Sequence, residues 1–424
     1  MNINEDSRLK EFRQLKSIIR GSADHLIVGI DIAKEKHHAF IGTATGKTLL
    51  RKLIFDNTRE GFEKLSSYVD AVKTRYVLPK VIFGLEPTGD YHKPLAEYLL
   101  RQGHTLVLES GVSVRRNREL LDGRWDKHDT KDAANVADLI SQGKCFFYEF
   151  PSTDLRELRS LLSLKRRLKK LTQVYKVRIR NHLIAQYFPE ADDCFRHVEG
   201  PAIVKWCLDP RDLSALPFEE FVRMVLPSRV GEVQRKRLWS IYTKARTSIG
   251  CEATPAASFE GELLVEALRQ LDVMIQDTDS KIAGICKRFP EYAYLLTIPG
   301  FGPDISAKIL GAIGNPHRFE NERQVLKMAG LDLSADRSGK KSDTIPVISK
   351  RGKADLRHGL YLAALYASTK DLRFVTYFTN KIKRREREAG IGGKVRIKLA
   401  AKLLVIAWTL MKKKEVFNPD CITD

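Results

Sequence analysis

The chain has 424 residues, with 73 Lys and Arg against 53 Asp and Glu, a net charge of +20 at pH 7 and a pI near 9.6. That balance points to a polyanionic partner, nucleic acid before an anionic membrane surface, and the length gives room for two or three domains with their own cores. No apolar run reaches membrane-helix length, no signal-peptide pattern is present, and Cys145, Cys194, Cys207, Cys251, Cys286 and Cys421 lack any C-x-x-C spacing; a soluble cytoplasmic, nucleoid-associated protein without a disulfide framework or zinc ribbon is expected.

Residues 1–25 are charged and mixed and read as a short helical or frayed leader, with order beginning after it. A domain over 26–150 opens with three strand-like runs, "LIVGIDI" (26–32), "KHHAFIG" (36–42) and "KTLLRKLIF" (47–55), followed by a helical pattern over about 59–73. "KVIFGLE" (80–86) reads as a fourth strand, Tyr91 to Gln102 as a helix and "HTLVLES" (104–110) as a fifth strand. In "KHDTKDAANVADLI" (127–140), Ala133, Val136, Ala137 and Ile140 form the buried stripe of an amphipathic helix, and Asp129 and Asp132 continue it. Carboxylates on that stripe either hold a cation between them or are solvated caps of a helix that starts later. Three meandering strands and then alternating strand and helix is the order of an RNase H-like mixed α/β sheet with helices on its faces. His37 and His38 fall on alternate faces of a strand.

From about 151 to 290 the pattern turns helical. Leu161, Leu164, Leu168, Leu171 and Tyr175, and later Leu264, Leu268, Leu271, Ile275, Thr278, Ile282 and Ile285, step by three and four as a coiled-coil seam does. A less regular insert at about 186–258, rich in prolines, separates the two, which suggests a helical hairpin arm. Its first helix carries "KRRLKKLTQVYKVRIR" (165–180), where Lys165, Arg166, Arg167, Lys169 and Lys170 form either a solvated face or a face that tracks phosphates. The last part, 291–424, is mainly helical and opens with "LLTIPGFGPDISAKILGAIG", a helix-hairpin-helix-like pattern whose turn amides and second-helix N-terminus suit a phosphate.

Asp31 ends the first strand and Glu86 the fourth. Acids ending neighbouring strands share a site, and with Asp129 and Asp132 facing them from the covering helix, four oxygen ligands suit Mg²⁺ or alternatively Mn²⁺. The segment "LDLSADRSGKKSDTIPVISKRGKADLRHGL" (331–360) is a polar loop leading through a basic turn into a helix. Ser334, Ser338 and Ser342 are equal candidates for an activated hydroxyl, with Arg337, Lys340 and Lys341 beside them; Lys350, Arg351, Lys353 and Arg357 add a second basic cluster fit for phosphate grip or for solubility.

Five segments, in order, resemble the DEDD transposases of insertion sequence family one hundred and ten, relatives of the Piv DNA invertases: "VGIDIAKEKH", "GLEPTGDYHKPLAEYLLRQGH", "RWDKHDTKDAANVADLI", "IPGFGPDISAKILGAIGNPHRF" with "MAGLDL", and "RSGKKSDTIPVISKRGKADLRHGLYLAA". The leader and the insert are unmatched, "ESGVSVRR" stands where relatives usually have an Asn-Pro turn, and Asp336-Arg337 precede Ser338 where a second serine is common. The resemblance implies a RuvC-like domain whose Asp31, Glu86, Asp129 and Asp132 bind Mg²⁺, then a coiled-coil arm. A C-terminal domain follows whose nucleophile is Ser338, joined covalently to a DNA phosphate during strand exchange. It also implies homo-dimers and homo-tetramers acting on double-stranded donor and target DNA, guided by a structured bridge RNA. A Piv-type invertase, or a RuvC-like nuclease resolving Holliday junctions, is the alternative.

Overall fold

The computed structural model describes residues 5–122, 129–197, 199–226, 231–334 and 347–422, with 119–122, 129, 130, 334 and 421 described by backbone only. The chain divides into two compact units, Met1–Pro151 and Ser152–Asp424.

The first unit is a six-stranded mixed sheet between two helical layers. In chain order its elements are α1 (Glu5–Ile18), β1 (His25–Asp31), β2 (Lys36–Thr43), β3 (Thr48–Asp56), α2 (Arg59–Tyr76), β4 (Lys80–Glu86), α3 (His92–Arg101), β5 (Thr105–Leu108), α4 (Gly111–Asp122), α5 (Asp129–Ser141) and β6 (Phe146–Phe147). The strands lie in the order β3-β2-β1-β4-β5-β6. β1 pairs antiparallel with β2 and parallel with β4, and β4 pairs parallel with β5. The apolar runs land where the sequence expects them because a central strand covered on both faces needs side chains that tolerate burial in both directions. Along β1, Leu26, Val28 and Ile30 join the core shared with α2 and α3, while Ile27 joins the core shared with α1, α4 and α5.

Of the two readings of the leader the helical one holds: α1 buries Leu9 and Leu15, and Leu15 with Ile19 packs into the α4–α5 layer, so order begins before residue 26. α4, a twelve-residue helix, occupies a segment to which the sequence pattern assigned no element.

Among its described residues the second unit is helical apart from one small hairpin. It begins with α6 (Thr153–Arg178), which passes through a π-helical stretch, Ile179–Ile184, into the short α7 (Ala185–Tyr187). Then come α8 (Glu199–Trp206), α9 (Pro210–Ala215), α10 (Phe218–Val225), α11 (Glu232–Ala245) and the long α12 (Pro255–Cys286). α6 and α12 run antiparallel, as the ion pairs Asp154–Arg288, Lys165–Asp279 and Arg178–Glu260 require. On α12 the expected seam is buried at Leu268, Leu271, Thr278, Ile282 and Ile285, but on α6 Leu168 alone of the expected set is buried and Leu171 is 45% exposed. The insert is more regular than its prolines suggest: α8, α10 and α11 close a core around Ile203, Phe221, Leu238 and Ile241.

Beyond α12 lie α13 (Pro290–Leu296), α14 (Pro303–Ile313), α15 (Glu322–Ala329), a hairpin of β7 (Leu333–Ser334) and β8 (Val347–Ile348), α16 (Ala354–Lys370), α17 (Leu372–Ile382) and α18 (Ile391–Lys413). The Pro-Gly-Phe-Gly turn joins α13 to α14 as expected, and Gly300 (φ +86°) sits so close to α16 that a Cβ there would lie 2.5 Å from the Ala363 carbonyl oxygen. Among the described residues no helix is long and apolar enough to cross a membrane.

Candidate active site

The parallel register of β1 and β4 sets the site. Asp31 and Glu86 are Cα partners at the C-terminal ends of the two strands, which places them at roughly the 4.8 Å interstrand spacing. Two residues back, Gly29 and Gly84 are also partners, and both face α5. A Cβ on Gly29 would lie 2.2 Å from the Ala133 carbonyl oxygen and 2.6 Å from the Ala137 nitrogen; one on Gly84 would lie 2.0 Å from Ile140 Cδ1. The glycine pair therefore lets α5 rest directly on the sheet. Asp31 and Glu86, two residues further along each strand, project to that same side.

α5 starts at Asp129, whose side chain lies outside the described residues, and presents Asp132 one turn later. Asp132 is 2% exposed, as its place on the apolar stripe predicts. Arg118 of α4 donates to Asp132 Oδ1 from Nε at 2.8 Å and from Nη2 at 2.6 Å. Beside it, Asn117 donates to Asn135 Oδ1 (3.3 Å) and Asp138 Oδ2 (2.8 Å), so a polar seam locks α4 to α5. Sequence reading missed this seam; the signal was Val114, Arg118 and Leu121 at helical spacing.

The same row of the sheet holds more chemistry. His38 is the partner of Asp31 on β2, while His37 turns to the opposite face against Phe55, so the two histidines alternate as expected. On the other flank, the Glu109 amide donates to the Leu85 carbonyl at 2.9 Å, which continues β5 one residue past the Leu85–Leu108 pair and brings Glu109 beside Glu86. Glu109 is 1% exposed, and burial pushes its carboxyl up to about 8. Gly111, the first residue of α4, closes over Glu86: a Cβ there would lie 2.8 Å from Glu86 Oε1.

Hard oxygen donors on one face of parallel strand ends suit a divalent cation of the Mg²⁺ type, and neither oxygen of the buried Glu109 carboxyl has a hydrogen-bond partner. Among the described residues no three His, Cys, Asp or Glu side chains gather into one cluster, with Asp132 held by Arg118 instead.

Ser338, with Arg337, Lys340, Lys341 and Ser342, lies outside the described residues; Ser334 is described as backbone in β7. The described residues on either side of that segment are tied together. Ser349 donates to Asp332 Oδ1 at 2.5 Å, and Arg357 donates to the carbonyls of Ala329 (2.9 Å) and Lys350 (3.4 Å). Arg357 is thus engaged with backbone, whereas Lys350, Arg351 and Lys353 are exposed. In the basic run of α6, Arg166, Arg167, Lys169 and Lys170 are exposed. Lys165 is not available to a phosphate: it is 6% exposed and its ammonium is clamped by Asp279 and Asp304. Burial pulls its pKa down, but the two carboxylates outweigh that and leave it above the ordinary lysine value.

Comparison with known proteins is consistent over most of the chain. Residues 28–189 match a transposase family model of the DEDD, IS110 type, and residues 292–379 match that of the IS116/IS110/IS902 transposase family. The uncharacterized 44.8 kDa protein of insertion element IS116 from Streptomyces clavuligerus is 22% identical, over 93% of this chain and 97% of its own length. The pilin gene-inverting protein of Moraxella bovis is 22% identical over 92% and 97%. The uncharacterized 42 kDa protein of IS900 from Mycobacterium paratuberculosis is 27% identical over 93% and 98%.

Proposed function

From the premise that the chain belongs to the IS110-type family of transposases, we propose that it exchanges DNA strands with a serine nucleophile assisted by a carboxylate-bound Mg²⁺ in a RuvC-like domain. The observation that carries this reading is the in-register pair Asp31–Glu86 with Asp132 of α5 on the same side of the sheet. Asp31, Glu86, Asp129 and Asp132 would hold Mg²⁺ or Mn²⁺, which when bound offsets charge developing on a phosphate.

The chain's own residues do the rest. Ser338 Oγ attacks the scissile phosphorus, an Oγ–P bond forms as a P–O bond of the DNA backbone breaks, and the departing strand leaves as a hydroxyl carrying the proton the serine gives up. A hydroxyl of the second DNA then attacks the phosphoserine and regenerates the serine, so bond energy is conserved. The Asp332–Ser349 and Arg357 contacts hold the two ends of the loop that bears Ser338. Exposed Arg166, Arg167, Lys169 and Lys170 grip phosphates of DNA or of a structured guide RNA, and homo-dimers or homo-tetramers assemble the two sites on one substrate.

The test incubates the full chain, its co-purified RNA and end-labelled donor and target DNA with Mg²⁺ and resolves the products on a denaturing gel. A protease-sensitive DNA band that vanishes in Ser338→Ala and in Glu86→Gln is expected. An adduct that persists in Ser338→Ala overturns the nucleophile, and a free nick without any adduct favours hydrolysis by a nuclease.

A further inference from the structure

The insert between α7 and α12 takes no part in the site described above, yet one face of it combines aromatic rings with cations. On α11, Arg235, Lys236, Trp239, Thr243 and Arg246 recur at three and four positions, so they share one side of the helix, and all five are exposed. Trp239 is 52% exposed. Its indole is backed by two rings: it meets Phe218 of α10 edge-on, with centroids 4.7 Å apart at 89°, and lies over Tyr242 at 5.9 Å and 29°. Tyr242 is itself buried, and its hydroxyl donates to the Leu216 carbonyl at 2.7 Å, so the indole rests on a fixed floor. Two guanidiniums flank it. Arg235 stands 5.3 Å from the centre of the Phe218 ring and Arg246 5.5 Å from that of Tyr242. Arg235 also pairs with Glu219, in an exposed contact that solvent and salt weaken.

A single exposed tryptophan is ordinary. Here the ring is held in place, and cations lie on both sides of it along roughly 16 Å of helix, the rise of the eleven residues from Arg235 to Arg246. A planar ligand ring stacks on such an indole while anionic groups before and after it meet the arginines, which is the chemistry of a run of nucleotides. Charge favours that occupant: Arg235, Lys236 and Arg246 stand against Glu232 at the start of the face, on a chain of net charge +20. Bases within a duplex expose only their edges, so an indole platform takes bases that are unpaired. The DNA on which transposases act is double-stranded, whereas a folded RNA displays unpaired bases in its loops and bulges.

We propose that this face of α11 is a stacking site for unpaired bases of RNA, with Trp239 as the platform and Arg235, Lys236 and Arg246 on the flanking phosphates. The inference rests on the reading of the chain as RNA-guided, and the experiment separates the two. Fluorescence anisotropy with a labelled short oligouridylate, an oligodeoxythymidylate of equal length and a duplex DNA is run on the full-length wild type, Trp239→Ala, Trp239→Phe and Arg246→Gln. Oligouridylate binding about tenfold weaker in Trp239→Ala is expected, with Trp239→Phe near wild type and with Tm and duplex affinity unmoved. Arg246→Gln lowers the salt dependence on oligouridylate by about 0.7 in slope, and this surface variant carries the test should Trp239→Ala not fold. Irradiation of an RNA containing 5-iodouridine is expected to cross-link the peptide that bears Trp239. Undiminished oligouridylate binding in Trp239→Ala, beside a wild type that binds it, overturns this assignment alone and leaves the face to a protein partner. A loss confined to oligodeoxythymidylate gives the face to single-stranded DNA, and an equal loss on duplex DNA shows that it reads phosphates without stacking; either overturns the assignment. A wild type that does not bind oligouridylate overturns the inference together with the RNA reading, while the serine adduct is judged separately.

Discussion

Gly29→Ala tests the geometry on which the site depends. The added methyl would lie 2.2 Å from the Ala133 carbonyl oxygen and 2.6 Å from the Ala137 nitrogen, both backbone atoms of α5. Backbone cannot turn aside as a side chain can, so α5 must retreat by roughly 1 Å to restore ordinary contact distance. Overpacking of this kind costs about 1–3 kcal/mol. The same shift carries Asp129 and Asp132 away from Asp31 and Glu86, and a displacement of about 1 Å at a reacting centre costs on the order of 10²-fold in rate. Gly84→Ala is the control. Its methyl meets Ile140 Cδ1 at 2.0 Å, the flexible end of a side chain that can change rotamer, so the helix keeps its height and the rate falls less. Urea unfolding gives the stability of each variant, and the rate of adduct formation in Mg²⁺, under conditions where the protein is fully folded, gives the catalytic effect. Wild-type rate and stability in Gly29→Ala, or a greater catalytic loss in Gly84→Ala, would refute the reasoning.

Glu109 makes stability depend on pH in a definite direction. Its folded pKa is raised from 4.5 to about 8 by burial, so between those values the folded chain holds a proton that the unfolded chain has released. The metal-free protein therefore loses stability as pH rises from about 4.5 to about 8, by at most about 5 kcal/mol at about 1.4 kcal/mol per unit; Glu109→Gln flattens the slope, and chemical denaturation in chelator across that range checks it. Lys165→Met leaves Asp279 and Asp304 without their shared cation; because both carboxylates are partly exposed and Asp304 keeps Lys308, the expected cost in denaturant titrations is about 1 kcal/mol while DNA affinity stays unchanged. Replacing Arg166, Arg167, Lys169 and Lys170 with Gln gives the opposite result in a filter-binding series, namely weaker binding and a shallower dependence on salt, by about 0.9 in slope for each phosphate no longer neutralised, with Tm unmoved. Arg357→Ala removes two donors from the stem of the Ser338 loop, and about tenfold slower adduct formation is expected with little change in Mg²⁺ affinity.

The fold was legible wherever one kind of residue repeated with one period. "KVIFGLE" is β4 from its first residue to its last, because seven apolar-rich residues between turn formers admit little else. α12 kept its seam for the same reason. α4 escaped notice because its packed side carries Asn117 and Arg118, which bury against α5 through hydrogen bonds rather than through oily area. The insert looks irregular in sequence because prolines interrupt its apolar periodicity. In the structure Pro210 starts α9, Pro217 caps α10 and Pro255 starts α12; proline suits the first turn of a helix, where its missing N–H leaves no bond unmade.

In the site, the sequence located the charges but not their counter-ions. Asp31 and Glu86 each follow a strand glycine by two residues, a spacing written in "GID" and "GLE", and the register pairs them. The partner of a buried charge is set by tertiary contacts at arbitrary separation: Asp304 reaches Lys165 across 139 positions and Arg118 reaches Asp132 across 14. This matters for metal loading. With Arg118 seated on Asp132 Oδ1, a divalent ion arriving there must displace or share a guanidinium and meets a fixed positive charge while doing so.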